Sequence, residues 1–134
     1  MERNLLVPEL SVRDLAASLD FYVHGVGFAV AYTRSDPAFA YLDLRGAQLM
    51  LEEDHEEAWT TGSLDGPRGA GFNLQIEIPD VLAASNRLTG MGVSPFREVT
   101  ESTYDTAEGP WTQLEYLAQD PDGYLIRLVQ RLST

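Results

Sequence analysis

The sequence predicts an α+β protein made of two tandem β-α-β-β-β modules. An internal repeat carries this prediction, because Leu10-x-Val12-x-Asp14 recurs 66 residues later as Ile76-x-Ile78-x-Asp80, and Ala-Ala-Ser follows closely after each aspartate. Three short alternating runs follow each predicted helix. A β-α-β-β-β unit leaves one apolar sheet face uncovered, so two copies are expected to pair. We predict one domain, with module 1 over about 4–53, a linker over 54–70 and module 2 over about 71–131.

In the first module, Leu5–Val12 alternates loosely and contains Pro8, which removes a ladder donor and favours an edge strand. Asp14 is the predicted N-cap of a helix that ends near Gly25 and Gly27. Three strands are predicted after this helix, over Phe28–Thr33, Ala38–Leu44 and Gln48–Glu53.

In the second module, Asp80 caps a helix that ends at Gly90 and Gly92. Glu101–Gly109 is predicted to be a long loop. The other segments are predicted strands, namely Phe72–Ile78, Val93–Val99, Trp111–Ala118 and Tyr124–Val129. The last two strands flank Asp120-Pro121-Asp122-Gly123, in which proline presets φ and glycine takes a positive φ, so they form a β-hairpin.

Composition excludes several kinds of chemistry. The net charge is −12, and the nine basic residues are all arginine, so lysine Schiff-base chemistry is excluded. No cysteine is present, which excludes disulfides and thiolate sites. An acidic surface repels phosphate backbones and attracts cationic small molecules, so nucleic acid is not an expected partner. No apolar run approaches the roughly 20 residues of a membrane span, and no secretory signal is present, so we expect a cytoplasmic location without membrane partners.

Four motifs together resemble the vicinal oxygen chelate superfamily of glyoxalase I, extradiol dioxygenases and bleomycin-resistance proteins. The motifs are Val7–Tyr22, Gly25-Val26-Gly27-Phe28, Pro110-Trp111 and Asp120-Pro121-Asp122-Gly123. The resemblance implies two βαβββ modules that form a curved, partly open mixed sheet around a cleft. It also implies a homodimer.

Enzymes of this superfamily hold a divalent metal with His or Glu at four strand positions. By resemblance these positions correspond to Val7, Asn73 and Arg127, and to either Met50 or Glu52, whose register the sequence leaves open. Valine cannot ligate, asparagine is a poor ligand for a transition metal, and arginine repels a cation. We therefore expect no metal, no cofactor and no catalytic residue.

With these replacements of the metal ligands, the sequence resembles the bleomycin-resistance branch, in which a metal-free cleft binds the drug stoichiometrically at the dimer interface. The segment around Pro8 resembles the one that this branch exchanges between subunits. Phe39 and Trp111 lie where the branch places aromatic residues against a flat drug. The resemblance thus implies an antibiotic-binding resistance protein whose partner is a small-molecule antibiotic. The alternative is an enzyme of the same fold, an isomerase, lyase or dioxygenase with a non-standard metal or none.

Six residues are the predicted ligand-binding set, and four of them have a simpler structural explanation. Rigid aromatic rings suit stacking, but core packing explains Trp111, Phe39 and Tyr41 as well. Glu52 begins an acidic run to Glu57 that is typical of a solvated loop, although an inward carboxylate there could bind a cationic tail. Trp59 follows in the same loop, and an aromatic residue there suggests a lid over the binding site. The set comprises Phe39, Tyr41, Met50, Glu52, Trp59 and Trp111.

Overall fold

The computed structural model of the chain describes residues 1–132. The chain divides into two compact units, Met1–Arg68 (unit 1) and Gly69–Thr134 (unit 2). Each unit contains one β-α-β-β-β module with its own four-stranded mixed sheet. The α+β class and the two tandem modules are therefore confirmed. Neither of the helices described over residues 1–132 has the length and apolar character that a membrane crossing needs.

Unit 1 orders its strands β1-β4-β3-β2, with β1 parallel to β4 and the other pairs antiparallel. Pro8 directly precedes β1, which is an edge strand as the proline predicts. The elements are β1 (Glu9–Val12), α1 (Leu15–Leu19), a π-helical continuation (Asp20–Val26), β2 (Ala29–Arg34), β3 (Phe39–Leu44) and β4 (Ala47–Glu53).

Local sequence explains where these elements begin and end. Asp14 has extended backbone and its side chain accepts the amide of Ala17 at 3.3 Å, so it caps α1 as predicted. Gly27 ends the helical segment with φ of 112°, a left-handed value that favours glycine. Alternate strand residues bury one apolar face, made of Leu10, Val12, Ala40, Leu42, Leu49 and Leu51.

Unit 2 orders its strands β5-β8-β7-β6, again with one parallel pair, β5 and β8. Asp80 caps its helix by accepting the amide of Ala83 at 3.0 Å. The helix packs against β6, β7 and β8. The elements are β5 (Asn73–Glu77), α2 (Val81–Gly90), β6 (Pro95–Thr106), β7 (Gly109–Gln119) and β8 (Leu125–Arg131).

The predicted long loop over Glu101–Gly109 is wrong, because β6 continues through Thr106 and forms a long hairpin with β7. The Thr103 and Thr112 hydroxyls lie 2.9 Å apart across this pair. Most side chains of this strand are exposed, so the hairpin has no apolar alternation for a sequence pattern to detect.

The turn predicted at Asp120–Gly123 is confirmed. The Oδ1 atom of Asp120 accepts the backbone amides of Asp122, Gly123 and Tyr124 at 2.9–3.0 Å. Asp120 is buried, so this one side chain satisfies three amides that water cannot easily reach.

The segment after β4 is held against the rest of unit 1 by Arg68, at the C-terminal end of the segment. Arg68 is buried, and its guanidinium forms two hydrogen bonds with Asp54, at 2.6 and 2.9 Å. It also donates to the carbonyls of Ser11 and Leu64. Trp59 lies between these attachments and is 96% exposed.

Candidate functional site

In each unit the helix covers one sheet face, and we call the opposite face the distal face. In unit 1 the β3–β4 register pairs Phe39 with Glu52 and Tyr41 with Met50. Cross-strand partners point to the same side of a sheet. Four of the six predicted ligand-binding residues therefore lie together on the distal face of unit 1.

Aromatic rings form a continuous row on this face. Tyr32 and Tyr41 stack with centroids 5.2 Å apart and planes at 15°, and Phe39 lies 6.0 Å from Tyr32. The guanidinium of Arg34 lies 3.9 Å from the centroid of the Phe39 ring. Phe39 and Tyr41 are each only 1% exposed. The row thus combines packed aromatic rings with a planar cation.

The N-terminal segment contributes to the same face. Arg3 lies 5.0 Å from the Tyr41 ring centroid and its guanidinium donates to the Tyr32 hydroxyl. Gln48 is buried, and its Oε1 accepts both the Tyr41 hydroxyl, at 2.7 Å, and the Asn4 amide, at 2.9 Å. Gln48 therefore fixes the segment and the tyrosine in one arrangement.

Carboxylates lie at one end of this face. Glu52 pairs with the Nε2 atom of His55 at 3.3 Å. Partial burial and the negative charge of Glu52 raise the pKa of Glu9, and Arg34 lowers it by less. Beside these residues is a cavity of about 750 Å³, lined by Asp36, Pro37, Ala38, Glu53, Asp54, His55, Glu56 and Glu57.

The distal face of unit 2 is polar. The β6–β7 register pairs Tyr104 with Trp111, and the β7–β8 register pairs Gln113 with Arg131 and Leu117 with Arg127. Trp111, Gln113 and Glu115 alternate along β7, so their side chains share this face. The predicted residue Trp111 thus lies in a row of polar side chains.

Glu115 is the centre of this face. It is 1% exposed and accepts hydrogen bonds from Tyr104 Oη at 2.7 Å, Arg127 Nε at 2.8 Å and Gln113 Nε2 at 3.1 Å. Burial raises the pKa of Glu115, but the hydrogen bonds from Ser102, Tyr104 and Gln113 and the charge of Arg127 outweigh it, and the pKa lies below its ordinary value. Glu115 is therefore a buried carboxylate whose neighbours favour its ionised form.

The same network fixes the indole of Trp111. Its Nε1 donates to Gln113 Oε1 at 2.8 Å, while the amide nitrogen of Gln113 donates to Glu115. Arg131 lies 4.2 Å from the centroid of the Trp111 ring. Trp111 and Phe39 thus each have an arginine over one ring face.

The metal that the superfamily's enzymes use does not fit the residues of this chain. Arg127, at one of the four ligand positions, forms an ion pair with Glu115, while Val7 and Asn73 offer no good donor for a transition metal. Among residues 1–132, no group of three or more His, Cys, Asp or Glu side chains is arranged to hold a metal ion. The remaining position, Met50 or Glu52, supplies at best one ligand.

Residues 5–128 match the glyoxalase/bleomycin resistance protein/dioxygenase superfamily. The match covers most of the chain, and the chain belongs to this superfamily.

Two curated proteins illustrate the range of its relatives. The chain is 28% identical to a lactoylglutathione lyase of Pseudomonas putida over an alignment of 150 residues, which covers 90% of this chain and 81% of that protein. It is 22% identical to a bleomycin resistance protein of Geobacillus stearothermophilus over 136 residues, which cover 96% and 97% of the two chains.

Solved structures share the fold. A virulence protein of Salmonella typhimurium aligns with a TM-score of 0.69 at 20% identity and covers 98% of this chain and 99% of its own. A fosfomycin resistance protein of Listeria monocytogenes, solved with Mn(II) and sulfate, aligns with a TM-score of 0.63 at 17% identity, covering 97% and 93%.

Sequence reasoning missed the polar members of both distal faces. The alternation of Trp111, Gln113 and Glu115 was visible in the sequence and could have indicated a polar face next to the tryptophan. Tyr32 and Gln48 had no such signal, because their partner Tyr41 lies on the neighbouring strand and only the strand register brings them together.

Proposed function

We propose that this protein binds a bulky, partly aromatic and cationic antibiotic of the bleomycin type stoichiometrically and without catalysis. The observation that carries the proposal is the Arg127–Glu115 pair at 2.8 Å. It fixes a cation at the position where the superfamily's enzymes have a carboxylate ligand. Protection would follow from removal of the drug from solution, and the similarity to a bleomycin resistance protein supports this role.

The arginines that lie over the aromatic rings support a ligand with a planar, cationic group. Arg34 over Phe39 and Arg131 over Trp111 lie 3.9 and 4.2 Å from the ring centroids, so a flat cationic group fits against each ring. A planar, positively charged part of a drug would take the place of such a guanidinium and keep the same cation–π attraction. Met50 would contribute apolar surface beside Phe39, and Tyr41, which is 1% exposed, would contribute only once Arg3 moves from its ring.

Negative charge would attract the cationic part of the drug. The chain carries a net charge of −12, and Glu52 lies at the acidic end of the distal face of unit 1. Such a field raises the local concentration of cations and their association rate. We include Trp59, on the acidic loop, as a residue that closes over the bound drug.

The proposal includes a homodimer in the cytoplasm. Among residues 1–132 the edge strand β1 pairs with β4 alone, and Pro8 directly precedes it. An edge strand next to a proline can leave its own sheet and pair with a partner subunit. A dimer would provide two equivalent drug sites.

Tryptophan fluorescence tests the proposal. In the Trp59→Phe variant Trp111 is the one remaining tryptophan, and titration with metal-free bleomycin should quench its emission to saturation at one drug per subunit. The matched Trp111→Phe variant, which keeps Trp59, reports on the loop alone. Mass spectrometry should recover the drug unchanged. An unaltered Trp111 spectrum at micromolar drug would refute the proposal.

A glyoxalase-type enzyme is the second candidate, and the 28% identity to a lactoylglutathione lyase favours it. The two candidates differ in turnover, whether the enzyme uses a non-standard metal or none. Purified protein, with or without added Zn²⁺, Ni²⁺ or Mn²⁺, would show lyase activity only if this second candidate is correct.

A further inference from the structure

Arg127 uses only part of its hydrogen-bonding capacity. Its Nε donates to Glu115, and its side chain is 27% exposed. Over residues 1–132 its two terminal nitrogens, Nη1 and Nη2, have no hydrogen-bond acceptor. Since a guanidinium offers five N–H donors in one plane, the distal face of unit 2 presents a pair of donors that lack an acceptor.

The charge beside these donors is already balanced. Glu115 lies 2.8 Å from Arg127, is 1% exposed, and is held ionised by its neighbours. A second carboxylate brought to the terminal nitrogens would therefore approach a buried negative charge as well as the guanidinium. An uncharged acceptor gains the same hydrogen bonds without that repulsion.

An aromatic platform lies next to the donors. The Arg127 guanidinium carbon is 5.6 Å from the centroid of Tyr104, and Tyr104 is the cross-strand partner of Trp111. The Gln113 amide fixes the Trp111 indole, and Arg131 shows that a planar group fits over it. A ring on this platform would bring a substituent within reach of Arg127.

We propose that the distal face of unit 2 binds a planar aromatic group that carries an uncharged hydrogen-bond acceptor such as a carboxamide. Trp111 and Tyr104 hold the ring, and the terminal nitrogens of Arg127 donate to the acceptor oxygen. Glu115 is the positioning residue, and its charge sets the preference for an uncharged acceptor. The inference rests on the proposed ligand-binding role of this face and specifies the chemistry that the face selects.

Three probes of equal size test the selectivity, namely naphthalene-2-carboxamide, naphthalene-2-carboxylate and naphthalen-2-ylmethylammonium. Binding is followed by the ¹⁵N–¹H signals of the Trp111 indole and the Arg127 Nε–H. The carboxamide should bind more tightly than the carboxylate, while the ammonium, which has no acceptor for Arg127, reports on ring contact and charge attraction alone. Arg127→Met should weaken carboxamide binding about fivefold, the loss expected for one hydrogen bond. Arg87→Met, on α2, removes an equal charge elsewhere and should change nothing.

The Glu115→Gln variant tests directly whether the charge of Glu115 sets the preference for the carboxamide. It leaves the charge of Arg127 unbalanced, so the carboxylate should now bind more tightly than the carboxamide. A purely structural role for Glu115 would weaken all three probes alike, and that result would overturn the inference. If Glu115→Gln does not fold, Arg127→Lys decides, since it keeps the charge but loses the planar donors and should weaken the carboxamide as Arg127→Met does.

Other outcomes separate this inference from the drug-binding proposal. Equal affinities for carboxamide and carboxylate in the wild type, or no shift with any probe, would overturn the inference. Carboxamide selectivity without bleomycin binding would leave the inference standing and refute the proposed drug. Bleomycin binding that is unchanged by Arg127→Met would support the drug proposal and count against Arg127 as its anchor.

Discussion

Replacing Arg127 by methionine removes the charged partner of Glu115, a carboxylate that is only 1% exposed. The lost contact is a charge-assisted hydrogen bond of 2.8 Å. Methionine fills a similar volume, so packing around β8 should change little. The stability change therefore reports mainly on the buried charge.

The expected loss of stability depends on the hydrogen bonds that Glu115 keeps in the variant. Breaking a buried ion pair from one side costs about 3–5 kcal/mol when the other charge is left without partners. Glu115 keeps its hydrogen bonds from Tyr104 and Gln113. We therefore expect a smaller loss at neutral pH, about 1.5–3 kcal/mol, which is the range for one hydrogen bond to a charged group. For a domain of this size the melting temperature should fall by about 10 °C.

The loss should depend on pH. In the wild type the pKa of Glu115 lies below its ordinary value of 4.5, so its charge stabilises the fold above that pH and the contribution disappears as the pH falls through the folded pKa. Without Arg127 the pKa of Glu115 rises, and protonation relieves the unpaired charge. The stability difference between wild type and variant should thus be largest at pH 7 and shrink as the pH falls through the raised pKa that Glu115 has in the variant.

Urea unfolding of both proteins from pH 3.5 to 8 measures this difference. Arg131→Met is the matched control, because Arg131 is half exposed and lies 3.8 Å from Glu77; its loss should stay within about 1 kcal/mol at every pH. A loss below about 0.5 kcal/mol for Arg127→Met at pH 7, or one that is the same at pH 4 and pH 7, would refute the buried-charge argument.

Two further substitutions test the fold around the site. Arg68→Met removes the bidentate contact to Asp54, whose side chain is one-third exposed and can regain water. We therefore expect a loss of about 2–3 kcal/mol in unfolding free energy and faster proteolysis within 54–70. A loop that remains resistant to protease would contradict the anchoring role of Arg68. Asp120→Ala removes the side-chain acceptor of three backbone amides, of which Gly123 keeps the Asp120 carbonyl, and should cost about 2–4 kcal/mol. Asp120→Asn keeps an acceptor oxygen and should cost clearly less; equal losses would contradict the turn argument.

Much of the fold could be predicted from local signals. The N-caps Asp14 and Asp80 and the turn at Asp120 each depend on contacts within four residues, so the sequence contains both partners close together. The strand over 101–106 could not be predicted, because its exposed residues lack apolar periodicity. Its pairing is decided by the neighbouring strand β7.

The sequence by itself determined the two β-α-β-β-β modules and the superfamily, and by resemblance it aligned Arg127 with a ligand position of the superfamily's enzymes. Only the tertiary structure decided what that arginine does. The Arg127 contact to Glu115 and the Tyr32–Tyr41 stack depend on strand register, which joins residues from different strands. Burial then gives the contact its significance, because a carboxylate shielded from water must be paired, whereas the same residue on the surface need not be.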